Sequence, residues 1–332
     1  MSGARESGPV GSDARKDGPI GGGGPVVVLA GGTGGAKLAR GMLDVVGPEN
    51  LVVVANTGDD IEIHRAYVSP DPDLITFWLA DRIDERGWGL AGDTFAVMEG
   101  LGQLGVEVWF QLGDHDLAIG IRRAEALHCG GRLTDAQAAI AAALGVRARV
   151  LPMCDEPVRT RVLAQGRWWP VQELLIKAHG TGPVDEVDFR GVRTATVTPE
   201  VLAAIAAARA IVIGPSNPVL SIGPILALGG LREALRQSAA PVVAVSPFVH
   251  GEVLKGPTAA FMQWTGQPPA GSGIATLYRG LIDGLVADDQ ADEVPLLQTE
   301  VLMDDARARR RVAEQTLRFA LGLGLGLGLG LG

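Results

Sequence analysis

Residues 25–30 read PVVVLA, an unbroken β-branched run that ends in the glycine-rich GGTGG, and an apolar-periodic stretch follows over residues 36–46. A strand that is apolar on both faces belongs inside a covered parallel sheet. Glycines at its end permit a sharp reversal into a helix. This one junction confines the chain to the α/β class. The form recurs at 51–55, LVVVA, and again at 210–214 and 241–246, where short apolar runs end in small polar residues or proline. Helices are predicted at 93–104, 199–209 and 225–237, and residues 106–111 read as a further strand. The expected fold is α/β, a doubly wound, mostly parallel Rossmann-like sheet.

Residues 147–193 break the pattern. Short, partly alternating runs at 158–163, 167–171 and 184–189, with turns such as Gln165-Gly166, predict a small inserted mixed or antiparallel subdomain. The Rossmann-like domain then comprises residues 25–146 and 194–315. Residues 1–24 are rich in Gly, Ser and charge and read as a disordered leader. Residues 321–332 alternate Leu and Gly, which disfavours helix and strand alike and predicts a frayed low-complexity tail.

With 47% hydrophobic and 20% charged residues in 332, the chain can bury a large core, which excludes global disorder. A net charge of −9 without a long basic run argues against a nucleic-acid surface. An anionic substrate would need local compensation from a cation, a helix N-terminus or a metal. Cys129 and Cys154 form no CxxC pair, so a reduced, cytoplasmic setting is expected. No apolar run suits a membrane span or a signal-peptide core.

In an open parallel sheet, ligands bind where strands end. Gly31, Gly32, Thr33, Gly34, Gly35 and Lys37 follow the first strand, so backbone N–H groups and a helix N-terminus could hold a phosphate. The loop is neither a Walker A sequence nor the usual GxGxxG. A tight turn is the alternative, and four glycines in five residues exceed what a turn needs. Asn56, Asp59 and Asp60 follow the second strand, as an Asp-rich turn or a Mg²⁺ site. In Ser69-Pro70-Asp71-Pro72-Asp73 the prolines suggest an extended segment with both carboxylates on one side, as ligands or with Asp73 as a helix cap. Ser216 and Asn217 in GPSNP, and Lys255 after SPFVHGEV, are further candidates for a phosphate or nucleoside. His250, the remaining histidines and Trp168-Trp169 carry no ligand spacing and read as surface or core.

Taken in order, GGTGGAKL, NTGDD, SPDPDL, RGWGLAGDTF, QLGDHDLA, GPSNPVLSIGPIL and SPFVHGEVLKGP resemble the 2-phospho-L-lactate transferases over residues 26–304. The resemblance implies Mg²⁺-dependent transfer of a phospholactyl, phosphoenolpyruvyl or phosphoglyceryl group from a guanosine diphospho-activated donor. The acceptor would be the ribityl hydroxyl of a deazaflavin precursor of coenzyme F-420, with release of GMP. It implies a homodimer, with neither nucleic-acid nor membrane partner. It casts Asp59, Asp60 and Asp73 as catalytic residues and metal ligands, and Asp73 as the acid that meets the deazaflavin. Asp73→Asn is then expected to slow turnover about a hundredfold with the fold intact. Gln111 stands where the family often carries a basic contact. The resemblance is weaker over 172–180, which lacks the expected aromatics.

Two other functions fit parts of the pattern. A non-enzymatic nucleotide-sugar-binding regulator of the gluconeogenesis-factor type shares the first loop but not SPDPD. A nicotinamide-dependent oxidoreductase explains the first loop, but neither the paired carboxylates nor GPSNP.

Overall fold

The computed structural model describes residues 23–254 and 256–325. Residues 1–22 of the expected leader, Lys255 and residues 326–332 lie outside the described part.

The chain opens with β1 (Val26–Ala30), α1 (Gly32–Val46) and β2 (Leu51–Ala55). A short hairpin, β3 (Ile61–Ile63) with β4 (Ala66–Val68), leads into α2 (Pro70–Leu79), α3 (Ala96–Gln103), α4 (Asp114–His128) and α5 (Leu133–Ala143). β5 (Arg149–Pro152) follows, then the three-stranded antiparallel sheet of β6 (Arg159–Ala164), β7 (Arg167–Pro170) and β8 (Val184–Arg190), with α6 (Val171–Lys177) between its last two strands. The remainder is α7 (Pro199–Ala206), β9 (Ala210–Ile213), α8 (Ile222–Ala227), α9 (Leu231–Gln237), β10 (Val242–Val245), a small hairpin of β11 (Phe248–Val249) and β12 (Glu252–Val253), α10 (Thr258–Trp264), α11 (Gly271–Leu277), β13 (Gly284–Ala287), β14 (Leu296–Gln298) and α12 (Ala306–Gly324).

Seven parallel strands form the main sheet in the order β14-β13-β10-β9-β1-β2-β5. The order reverses between β1 and β9, which opens a crevice at their carboxyl ends. Alternate side chains feed two cores. Val27 and Leu29 face α7 to α9, whereas Val26, Val28 and Ala30 face α1 and α12. This two-sided burial is the reason the strands are continuously apolar. A third core lies beneath the antiparallel sheet, around Val162, Trp169, Leu174 and Phe261. The α/β class, the parallel Rossmann-like sheet and the small antiparallel unit agree with the sequence reading.

Four local expectations are overturned. Residues 106–111 form no strand; Val108, Trp109 and Phe110 instead cover a fourth small core with Ala66, Val68, Met98 and Leu117. The edge of the main sheet beside β2 is β5, so residues 149–152 belong to that sheet and not to the insert. The helix expected at 225–237 is two helices, α8 and α9, separated at Gly229 and Gly230. The Leu-Gly stretch is helical as far as Gly324. Leu321 and Leu323 pack on the core, and a Cβ at Gly284 would stand 2.7–2.8 Å from Phe319 and Leu323. Tertiary packing outweighs the low helix propensity of glycine there. No helix among the described residues is long and apolar enough to cross a membrane.

Candidate functional site

The glycine loop after β1 is packed against the loop after β9. The Gly31 N–H donates to Ser216 Oγ at 3.3 Å, and Cβ atoms at Gly34 or Gly35 would collide with Pro215 or Ser216. Part of the glycine richness therefore serves loop-to-loop approach. Asn217 supports the same contact, since its Oδ1 accepts the Val219 and Leu220 N–H groups at 2.9 Å while its Nδ2 reaches Thr258 Oγ1 at 3.3 Å. Thr33 lies in the first turn of α1. Lys37 lies further along that helix, with its ammonium 6.0 Å from the Trp78 ring centroid on α2.

At the head of α1 stands a carboxylate of the protein itself. Asp71 Oδ1 accepts the Gly32 N–H at 2.6 Å, where the helix dipole favours an anion. Its Oδ2 accepts from Asn56 Nδ2 at 2.8 Å, and the same amide nitrogen donates to Asp59 Oδ1 at 3.1 Å. Asn56, fully buried at the end of β2, thus holds two carboxylates together; its Oδ1 accepts the Gly58 N–H at 2.8 Å. Burial raises the Asp59 pKa, and the neighbouring Asp71 charge raises it further. Burial also raises Asp71, opposed by the bonds from Asn56 and Gly32. Asp59 Oδ2 is met by Gln172 Nε2 at 3.4 Å.

Asp60 turns the other way. Its Oδ1 accepts from Ser69 Oγ at 2.7 Å, and its buried Oδ2 has no partner. Burial pushes its pKa up to about 7 against the opposing influence of Arg159 and Ser69.

Asp71 and Asp73 are not in an extended segment. Ser69 precedes α2, Pro70 and Pro72 sit in its first turn, and the Asp73 N–H donates to Ser69 O at 3.0 Å. Proline fits the first helical turn because those N–H groups lack intrahelical acceptors. Residues two apart on a helix point roughly 200° apart. The two carboxylates accordingly diverge. Asp73 meets Arg123 of α4, whose Nη1 donates to Asp73 Oδ2 at 3.1 Å and whose Nη2 donates to Asp73 Oδ1. Arg123 is fully buried; Nη1 also donates to Tyr67 O at 3.0 Å and Nη2 to Gln137 Oε1 at 3.2 Å.

Asp59, Asp60 and Asp73 thus point to different partners in this structure: Asn56 and Gln172, Ser69, and Arg123 respectively. Among the described residues, no group of three or more His, Cys, Asp or Glu side chains is arranged to hold a metal ion. The carboxylates brought together are Asp59 and Asp71. Gln111 is exposed on the irregular segment before α4. Lys255 is outside the described residues.

A cavity of about 660 Å³ lies between the 58–62 loop and the antiparallel sheet. The loop contributes Asp59 and Asp60 to its lining, and the antiparallel unit contributes Arg159, Thr160, Arg161, Gln172 and Arg190. Apart from Asp59 and Asp60, the sequence reading singled out none of these. The antiparallel unit comes from a segment about a hundred residues later, and no local motif marks it.

The 2-phospho-L-lactate transferase CofD family model matches residues 26–317. A 2-phospho-L-lactate transferase of Methanosarcina mazei is 38% identical over 271 residues, covering 81% of this chain and 89% of that protein. A phosphoenolpyruvate transferase of Kitasatospora aureofaciens is 37% identical over 315 residues, covering 87% and 98%. A solved UPF0052-family protein of Bacillus halodurans shares the fold, with TM-score 0.59 and 18% identity over 90% of this chain and 100% of that one.

Proposed function

The chain belongs to the 2-phospho-L-lactate transferase CofD family, and from that premise we propose that it transfers a phosphorylated three-carbon acid from a guanosine diphospho-activated donor to the ribityl hydroxyl of a deazaflavin precursor. The observation that carries the reading is the buried Asp59–Asn56–Asp71 cluster at the switch point, beside the N-terminus of α1. Transfer of a substituted phosphoryl group demands little covalent chemistry from a protein. It demands alignment of two oxygens about phosphorus and relief of negative charge.

The donor set suits a hard divalent cation. Two buried carboxylates share one amide hydrogen-bond donor; burial disfavours the charged form of both, and the Asp71 charge adds to this at Asp59. Asp59 and Asp71 would hold Mg²⁺. When bound, the ion neutralises charge on the phosphoryl oxygens. The glycine loop, kept in place by Ser216 and Asn217, offers N–H groups to the diphosphate, with Lys37 on the helix that follows it; the sequence also offers Lys255 as a phosphate contact.

The ribityl hydroxyl oxygen bonds to the phosphorus that carries the three-carbon acid. The bond from that phosphorus to the GMP oxygen breaks, and GMP departs. Asp60, on the cavity lining with a pKa pushed up to about 7 by burial, is the carboxylate placed to accept the hydroxyl proton. On the acceptor side the resemblance assigns Asp73, whose side chain is 12% exposed, and Gln111. Homodimerisation is part of the same reading, and light scattering of the purified chain measures it.

The test is incubation of the protein with deazaflavin precursor, Mg²⁺ and each guanosine-activated donor, with mass detection of products. A new phosphodiester with equimolar GMP is expected. Absence of product with every donor, together with tight binding of a nucleotide-sugar, would instead favour the regulator.

A further inference from the structure

Three arginines line the cavity that also holds Asp59 and Asp60, and two of them face each other across a strand pair. Arg159 on β6 and Arg190 on β8 are direct cross-strand partners, and like charges in that register destabilise a sheet. Arg161 follows Arg159 by two residues and so lies on the same face of β6. Arg161 has Asp188 as its cross-strand partner, yet among the described residues none of the three arginines makes an ion pair within 4.0 Å. Arg159 is held by a bond from Nη2 to the Tyr67 hydroxyl at 3.1 Å and by its guanidinium lying 5.3 Å over the Tyr67 ring.

Thr160, between Arg159 and Arg161 on β6, faces the other side of the strand, where its N–H donates to Gly58 O at 2.7 Å and ties β6 to the 58–62 loop. Ile61, Pro170 and Val171 supply apolar surface to the same cavity. Of the acids around the arginines, Glu62 and Asp188 are exposed, Glu173 lies 3.9 Å from Lys177, and Asp60 feels the Arg159 charge. The cavity therefore presents acids and an excess of guanidinium groups together. It suits a small carbon skeleton that carries an anionic group.

Resting on the transferase reading above, we propose that Arg159, Arg161 and Arg190 form the subsite for the carboxylate of the donor's three-carbon acid. Guanidinium groups match a carboxylate geometrically, and the fork contributes direction as well as charge. The volume exceeds what a three-carbon acid fills, leaving room for the acceptor hydroxyl to approach.

Calorimetric titration with two probes, phosphoenolpyruvate and GDP, tests this in the presence of Mg²⁺. Arg161 is half-buried and Arg190 exposed, so the Arg161→Ala/Arg190→Ala variant should fold. Phosphoenolpyruvate affinity is expected to fall by at least about tenfold, while GDP affinity stays within about twofold. Unchanged phosphoenolpyruvate binding in the double variant, no binding to the wild type, or parallel loss of GDP would overturn the assignment. Turnover of the wild type is a separate readout. Carboxylate-selective binding without transfer sinks the transferase reading alone, and transfer without arginine dependence sinks this subsite alone.

Discussion

Arg123, with no exposed side-chain surface, holds both carboxylate oxygens of Asp73 across fifty residues of chain. The pair ties the start of α2 to α4, and Gln137 extends it to α5 and, through Nε2, to Thr76 Oγ1 at 2.9 Å. Removing one partner of a buried pair leaves an uncompensated charge, at a cost of about 3–5 kcal/mol. Asp73→Leu and Arg123→Met should each lower urea-unfolding stability by that order, and the double variant by less than the sum. Fully additive losses would show that the pair acts as two separate residues. An Asp73→Asn variant therefore reports on turnover only after correction for its folded fraction, contrary to the expectation that the fold stays intact.

Asp59→Asn and Asp71→Asn are expected to lower kcat/KM by about a hundredfold or more, through loss of charge opposite the phosphoryl oxygens. Excess EDTA should abolish turnover of the wild type, and Mg²⁺ should restore it. Full activity in EDTA would remove the metal from the scheme.

Asp116 gives a stability prediction with a definite sign. Burial, followed by the charges of Asp73 and Asp93, raises its pKa to about 7, and its buried Oδ1 has no partner. A carboxyl raised above its unfolded value of about 3.9 binds more protons when folded, so its contribution to stability falls between about pH 4 and pH 7 and then levels off. Asp116→Asn should stabilise the protein at pH 8 by about 1–2 kcal/mol, with little effect at pH 4. Thermal unfolding at the two pH values measures the difference, and a gain confined to pH 4 would reverse the assignment.

Gly34→Ala should separate the two crevice loops, because the added methyl meets the Pro215 carbonyl. Overpacking of this kind costs roughly 1–3 kcal/mol. Stability should fall by that amount, and GDP affinity should fall with it if the loop cradles the diphosphate. A stable variant with unaltered GDP binding would dissociate the loop contact from nucleotide recognition.

Four strands of the main sheet, β1, β2, β9 and β10, were legible because continuous β-branched runs have few other uses, whereas β5 fell within the expected insert and the short β13 and β14 went unpredicted. Residues 106–111 misled for a related reason: Val108, Trp109 and Phe110 are apolar enough for a strand, yet they cover a satellite core without pairing. At the site, NTGDD and SPDPD were visible as acidic segments. Which acids meet was not, because the answer turns on Pro70 and Pro72 joining a helical turn and on Arg123 lying distant in sequence. Thr160 and Arg190 belong to the same class, since their relation to Asp60 exists only once β6 and β8 are laid against the main sheet.

The last turns of α12 finish beside Gly284 and Pro241, at the amino ends of β13 and β10, whereas the Asp59–Asn56–Asp71 cluster lies past the carboxyl ends of β1 and β2. The terminal leucines thus act as an anchor at the rim of the sheet remote from chemistry. A fluorophore, surface tether or fused carrier attached beyond this anchor would depart from that opposite rim, leaving the mouth of the crevice unobstructed.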